Sequence, residues 1–180
     1  MSAPICPTDC TGELPDVSFS DCAPEINNAQ IRDMYIANVG YGFADWTSAS
    51  EWNTRLALTT EAHAVRQLTI VGDKPAAESS EKKISHDRTI AGRKSHTINI
   101  EIDETNTINY DAMRTMECGK QYLMWYADEK YMYGGNGGIK VSINLNHVID
   151  KDSGNIQYLS GTAKWSDQQH PDRIVNPIAA

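Results

Sequence analysis

Five histidines, His63, His86, His96, His147 and His170, hold most of the acid–base and metal-binding potential of this 180-residue chain. No two of them form HExxH or another close ligand pair, so zinc-dependent hydrolysis has no motif to start from. Asp87 follows His86 directly and could orient its imidazole, but no G-x-S-x-G or comparable nucleophile setting accompanies the pair. Glu101, Asp103 and Glu104 in IEIDET offer carboxylates for glycosidic chemistry or for calcium. Alternation places Glu101 and Asp103 on the solvent face of a strand, without the glycine-punctuated loop that calcium needs. DKDSGN at 150–155 has the composition of half a calcium loop, and a hairpin turn accounts for the same residues.

The remaining motifs are equally poor in chemistry. Gly134, Gly135, Gly137 and Gly138 lack the GK[ST] ending of a phosphate loop and lie between β-like segments rather than before a helix. Cys6, Cys10, Cys22 and Cys118 are too few and too irregular for a disulfide framework, and C-x3-C lacks the paired knuckles and nearby His of a zinc site. Cys22 and Cys118 read as small buried hydrophobes. Tyr122, Trp125, Tyr126, Tyr131 and Tyr133 could stack sugars or bases, but aromatics on adjacent strands are more often core and cross-strand pairs. The expectation is a protein without catalytic, cofactor or metal residues, and not an enzyme.

Alternation and turn residues define the elements that carry these groups. IRDMYIANV at 31–39 reads as a strand closed by YGFADW. TSASEWNTRLA fits a short helix capped by Thr47 or Ser48, with Glu51 in its first turn. VRQLTIV is a strand stopped by GDKP, and HTINIEID alternates with Ile98, Ile100 and Ile102 on one face. INYDAMRTMECG changes to helical spacing, with Asn109 as the cap and Gly119 as the stop. QYLMWYAD, EKYMYGG, GIKVSINLNHVI and IQYLSGTAKW follow as strands, with Ile139, Val141, Ile143 and Leu145 inward on the third and Leu159, Gly161, Ala163 and Trp165 sharing a face of the fourth. Pro171 and Pro177 mark residues 171–180 as a tail outside the sheet. The fold expected is α+β, mainly β: an antiparallel β-sandwich or partial barrel over 31–170, with one packed helix and extended arms. Pro4, Pro7, Pro15, Pro24 and Gly12 make residues 1–30 an N-terminal arm or ordered loop.

Composition narrows the partners. The net charge is −8, with nine of the 24 acids and two of the 16 bases in Met1–Glu61, so this third carries −7 and the rest −1. An acidic balance argues against static phosphate-backbone binding. No apolar run approaches the roughly 20 residues that span a bilayer, and the N-terminus lacks the basic and apolar regions of a secretory signal. Synthesis in a cytoplasm, with no membrane partner, is the expectation.

Gly72 to His96 (GDKPAAESSEKKISHDRTIAGRKSH) is a long polar loop with Ile84 and Ile90 as its only large apolar residues. KKISHD and RTIAG within it are β-prone, and a loop of this length is either disordered or ordered from outside its own domain. It reads as a hairpin arm that neighbouring copies order, with Lys82, Lys83, Ile84, Arg88, Ile90 and Arg93 as its inter-subunit candidates.

From GDKPAAESSEKKIS through RTIAGRKSHTINIEIDETNTINYDAMRTMECGKQYLMWY to GTAKWSDQQHPDRI, the chain resembles structural proteins of tailed bacteriophages. It is most similar to tail-tube-like and ring-forming tail proteins of Bacteroidetes phages and prophages, including the crAss-like group. The resemblance covers about residues 65–175 and rests on the order of features: a long loop between early strands, a strand, one helix, then further antiparallel strands. It implies a homo-oligomeric ring or tube in the virion tail, contacts with other virion proteins, and passage of double-stranded DNA without specific binding. The N-terminal third departs from the simplest tube proteins and keeps a head–tail connector or capsid-associated protein as an alternative. From a different class, the Tyr/Trp cluster suits a β-sandwich carbohydrate-binding or adhesin module, and a third reading is a hydrolase with His86, Asp87 or Glu101 as acid–base groups.

Overall fold

The computed structural model describes residues 30–86, 88–152 and 154–178, the backbone alone being described for 88–91. The elements are β1 (Ile31–Asn38), α1 (Ala49–Ala57), β2 (Arg66–Asp73), β3 (Glu78–Ser85), β4 (Arg88–Ile102), α2 (Thr107–Met116), β5 (Gln121–Ala127), β6 (Tyr131–Tyr133), β7 (Ile139–Val148), β8 (Tyr158–Asp167) and β9 (Arg173–Val175). Six strands close a mainly β, antiparallel barrel in the order β1, β2, β4, β8, β7, β5 and back to β1. Closure comes from β1 pairing on both edges, so that Met34 faces Leu68 of β2 on one side and Tyr126 of β5 on the other. The sandwich-or-partial-barrel expectation thus resolves into a closed barrel.

Alternation fills the interior. Ile98, Ile100 and Ile102 of β4 meet Val141, Ile143 and Leu145 of β7 and Leu159, Ala163 and Trp165 of β8, all buried. Helix α2 joins β4 to β5, and its Met113 and Met116 cover that end of the barrel. Its cap is Asn106, not Asn109: the Asn106 Oδ1 accepts from the Asn109 N–H at 2.9 Å, while the Asn109 side chain donates to the Glu104 carbonyl. Both asparagines suit a cap, and only the earlier one lies ahead of the helical backbone. Gly119, at φ +71°, ends the helix as expected.

A second core lies outside the barrel wall, on the other face of β1 and β5. Tyr35, Phe43, Trp46, Trp52, Val65, Leu123, Trp125 and Met132 compose most of it. Trp52 of α1 is central, 4.1 Å from Phe43 and 5.7 Å from Trp125 between ring centroids, with its indole N–H donated to the Trp46 carbonyl at 2.7 Å. Ser48 caps α1 by accepting from the Glu51 N–H. The glycine-rich loop is also explained here. Trp125 donates its indole N–H to the Gly135 carbonyl, and a Cβ at Gly134 or Gly138 would lie 2.2 or 2.6 Å from the Trp125 ring. The Asn136 carbonyl and side-chain oxygen accept the N–H groups of Phe43 and Trp46. These glycines let backbone pack flat on an indole.

Two expectations are corrected. Residues 171–180 are not wholly a tail outside the sheet: β9 pairs with β6, Ile174 facing Met132. The two prolines flank this strand without entering it, and Ile174 and Ile178 pack on the second core. Cys118 is exposed rather than a buried hydrophobe, because α2 turns Met113 and Met116 to the core. Cys6, Cys10 and Cys22, with the N-terminal arm, lie outside the described residues.

Arg55, 5% exposed, fastens the second core. Its guanidinium donates to the carbonyls of His63, Gly42 and Tyr41 at 2.8, 3.0 and 2.6 Å and lies 4.2 Å from the Phe43 ring centroid. One side chain therefore ties the loops before and after α1 together. Arg55→Met strands three carbonyls and is expected to lower the unfolding free energy by about 3 kcal/mol, measured by urea denaturation. Arg55→Lys, which lacks the planar fork, should recover only part of the loss.

Candidate assembly surface

The polar segment from Gly72 to His96 is a β-hairpin and not an irregular loop. β2 and β3 both pair with the same edge of the 15-residue strand β4. The pairs Val71–Glu101 and Lys82–Ile90 lie on one register, and Glu78–Ser95 is one residue out of it. β2 and β3 are therefore two parts of one long hairpin arm, interrupted at 74–77, where Pro75 has no N–H to donate.

On its other edge, β4 pairs with β8 only from Lys94 onward. Arg88–Arg93 thus extends past the barrel wall, about 20 Å at the ordinary rise of a strand. All eight residues of β3 are exposed. Lys82, Lys83 and Ile84 lie on this strand, with Ile84 56% exposed near the tip. Arg88 and Ile90 lie on β4, Ile90 directly opposite Lys82, and the exposed Arg93 gives its carbonyl to the Ser80 hydroxyl at 3.3 Å. The six arm candidates are thus brought onto one two-stranded ribbon. Among the described residues the outer edge of β3 has no strand partner.

At the root of this ribbon the inward alternation of β4 reaches His96, which has no exposed surface. Its ring stacks on Trp165, its cross-strand neighbour, at 4.9 Å and 8° between planes, and meets the edge of His170 at 5.2 Å. Among the described residues neither ring nitrogen has a hydrogen-bond partner. An unpaired buried polar group of this kind costs about 1–3 kcal/mol. Burial first, then Lys74, His170 and Lys94, push the His96 pKa down, and Asp167 opposes them. His170 is also lowered, by burial, Lys74 and Lys94, and Lys74 by burial. In the sequence His96 is the last residue of the polar segment. Its inward position follows from extending the Ile98–Ile102 alternation by one more pair.

The outer barrel face beside the arm is built from short polar side chains. Cross-strand rows run Asn99–Thr162–Asn144, Glu101–Ser160–Asn146 and Thr97–Lys164–Ser142 over β4, β8 and β7. One acid and one base stand among these nine residues, so the charge of this face is balanced.

The proposed acid–base groups are not assembled. His86 is at the arm tip and Glu101 at the far end of β4, roughly 45 Å away along the strand, and Asp87 lies outside the described residues. Tyr122, Trp125 and Tyr126 are buried and Tyr131 and Tyr133 half-buried, which leaves no open stacking platform of the five. At 150–155 the carboxylates serve the turn: Asp150 accepts from Asp152 N–H and the Asn155 amide, and Asp152 from Gly154 N–H. Among the described residues no three His, Cys, Asp or Glu side chains are grouped to hold a metal, and no helix is long and apolar enough to cross a membrane.

Compared with protein-family models, curated proteins and solved structures, the chain matches none.

The arm can be perturbed apart from the barrel. A Cβ at Gly92 would lie 2.3 Å from the Ser80 hydroxyl and 2.8 Å from its carbonyl oxygen. Gly92→Val is expected to cut amide-exchange protection across residues 79–93 at least tenfold while that of Ile98–Ile102 is unchanged.

Proposed function

We propose that this chain is a structural subunit of a tailed-phage virion that assembles with its own copies into a ring or tube of the tail, part of the conduit for genome delivery. The observation that carries the proposal is β3, an eight-residue strand exposed along its whole length and unpaired on its outer edge among the described residues. A closed barrel has no edges, so strand addition falls to the arm and to the three-residue β9. A two-stranded ribbon is marginal by itself, and pairing with a neighbouring subunit satisfies its free backbone groups. Contact between the arm of one copy and a different surface of the next is heterologous, the geometry that closes into rings.

Glu78, Glu81, Lys82, Lys83 and Arg93 give the arm a mixed charge pattern, which favours a complementary surface over indiscriminate aggregation. The rows of Asn, Ser and Thr on the outer barrel face suit a channel wall. They offer a passing duplex no basic stripe to bind statically. Other virion proteins would meet the ends of such a ring, and a head–tail connector would use the same arm geometry.

The purified protein should form rings or tubes with a central channel as concentration rises, seen by light scattering and negative-stain imaging of the same fractions. Deletion of Ser79–Ala91 should leave the barrel folded, with a melting temperature within about 4 °C of the intact chain, and should hold the protein monomeric. Assembly of the deletion variant equal to that of the intact chain overturns the role given to the arm.

A further inference from the structure

The arm root carries a titratable group in a setting that only its neutral form tolerates. His96 is fully buried, stacked between Trp165 and the edge of His170, with both ring nitrogens unpartnered among the described residues. We infer that His96 is a proton-operated latch: its protonation frees the root of the arm from the end of β8.

Every element around the ring contributes to the balance. Lys74, from the β2–β3 connection, Lys94 on β4 itself and His170 from the β8–β9 connection disfavour an imidazolium, and among the described residues Asp167 of β8 favours it. Tyr126 of β5 backs Trp165 at 6.3 Å and presents an aromatic ring. Protonation converts the one acceptor nitrogen into a second donor, with no acceptor in reach among the described residues, and sets the charge among cations. The pairs that enclose it, His96–Trp165, Ser95–Ser166 and Lys94–Asp167, are the last three of the β4–β8 ladder, so they can open without breaking the barrel closure at β1. Lys74 and His170, with Asp128, Tyr126 and Tyr133, line an open cleft of about 330 Å³, so solvent reaches the His170 side of the stack.

The sign follows from linkage. The His96 pKa is lowered in the closed state, and an opened, solvated histidine titrates near 6.5. The open state therefore binds more protons, and closure is fully favoured above pH 6.5 and weakens as pH falls towards the lowered value. His170, lowered in the same direction, adds to the effect. Consequences for assembly rest on the function proposed above for the arm, whereas the opening itself is a property of the single subunit.

The test is amide exchange of the full chain at concentrations where it is monomeric, from pH 8 to pH 5, with protection factors corrected for intrinsic exchange. Protection at Lys94–His96 and Trp165–Asp167 should fall progressively as the pH drops from 6.5 towards the lowered His96 pKa, by up to about tenfold per pH unit for each proton taken up, with Ile98–Ile102 unchanged. His96→Phe keeps a ring on Trp165 and removes the proton, so its root should stay protected at pH 5. The His96 imidazole resonance of the unaltered protein provides a readout that no variant can confound: it should titrate below 6.5 in step with the loss of protection. Flat protection across the range, or a pH-dependent loss that persists unchanged in His96→Phe, overturns the latch. A chain that opens at its root but never assembles would overturn the proposed function and leave the latch standing.

Discussion

The double pairing of β1 is the constraint on which the other features depend. By bonding to β2 on one edge and β5 on the other, β1 turns an open sheet into a barrel and leaves β5 between two cores. Six of the seven residues of β5 are buried, with Met124 and Tyr126 facing the barrel interior and Leu123 and Trp125 facing α1 and the glycine-rich loop. Each aromatic or large aliphatic side chain so buried contributes about 1.5–3 kcal/mol. The outer core in turn explains the features that support it: the buried Arg55, the glycines flat on Trp125 and the return of β9 along β6.

Closure also determines which strand edges stay unpaired among the described residues. Once the barrel strands are paired, the strand edges left open among the described residues are on the arm and on short β9, and the arm is the longer. The same hairpin is part of the wall near the barrel and an unsupported ribbon beyond it. Pro75 lies between the two regimes. Inside the barrel, β4 buries isoleucines at alternate positions; across from its outer half, β3 exposes Glu, Ser, Lys and Ile alike. A ribbon without a buried face has little hydrophobic free energy of its own, which is the physical basis for giving it a partner in a neighbouring subunit.

His96 occupies the boundary between these regimes. One residue pair farther in, the position would hold an apolar side chain like Ile98; farther out, water would solvate the imidazole. At the boundary the ring is fully buried against Trp165 and His170 yet lacks an acceptor among the described residues. A polar group left unsatisfied at that point couples the packing of the barrel end to the position of the arm.

The strands, the helices and the inward faces of β4, β7 and β8 were legible in the sequence, because alternation and turn residues are local properties that burial reinforces. The hairpin character of the polar segment was visible in KKISHD and RTIAG for the same reason. The cap at Asn106 was not, since two asparagines three residues apart are locally equivalent. The added strand β9 was missed because Pro171 and Pro177 argue against a strand, and only the distant edge of β6 supplies a reason for one. The site residues divide in the same way: the charged and apolar positions of the arm could be named from composition, whereas the latch needed His96, Trp165, His170 and Lys74 to converge from four segments. Local sequence specifies which residues can alternate, cap or turn. Only the closed barrel decided which strand has two buried faces, which edge stays open and which histidine loses its water, because each of these depends on a partner distant in the chain.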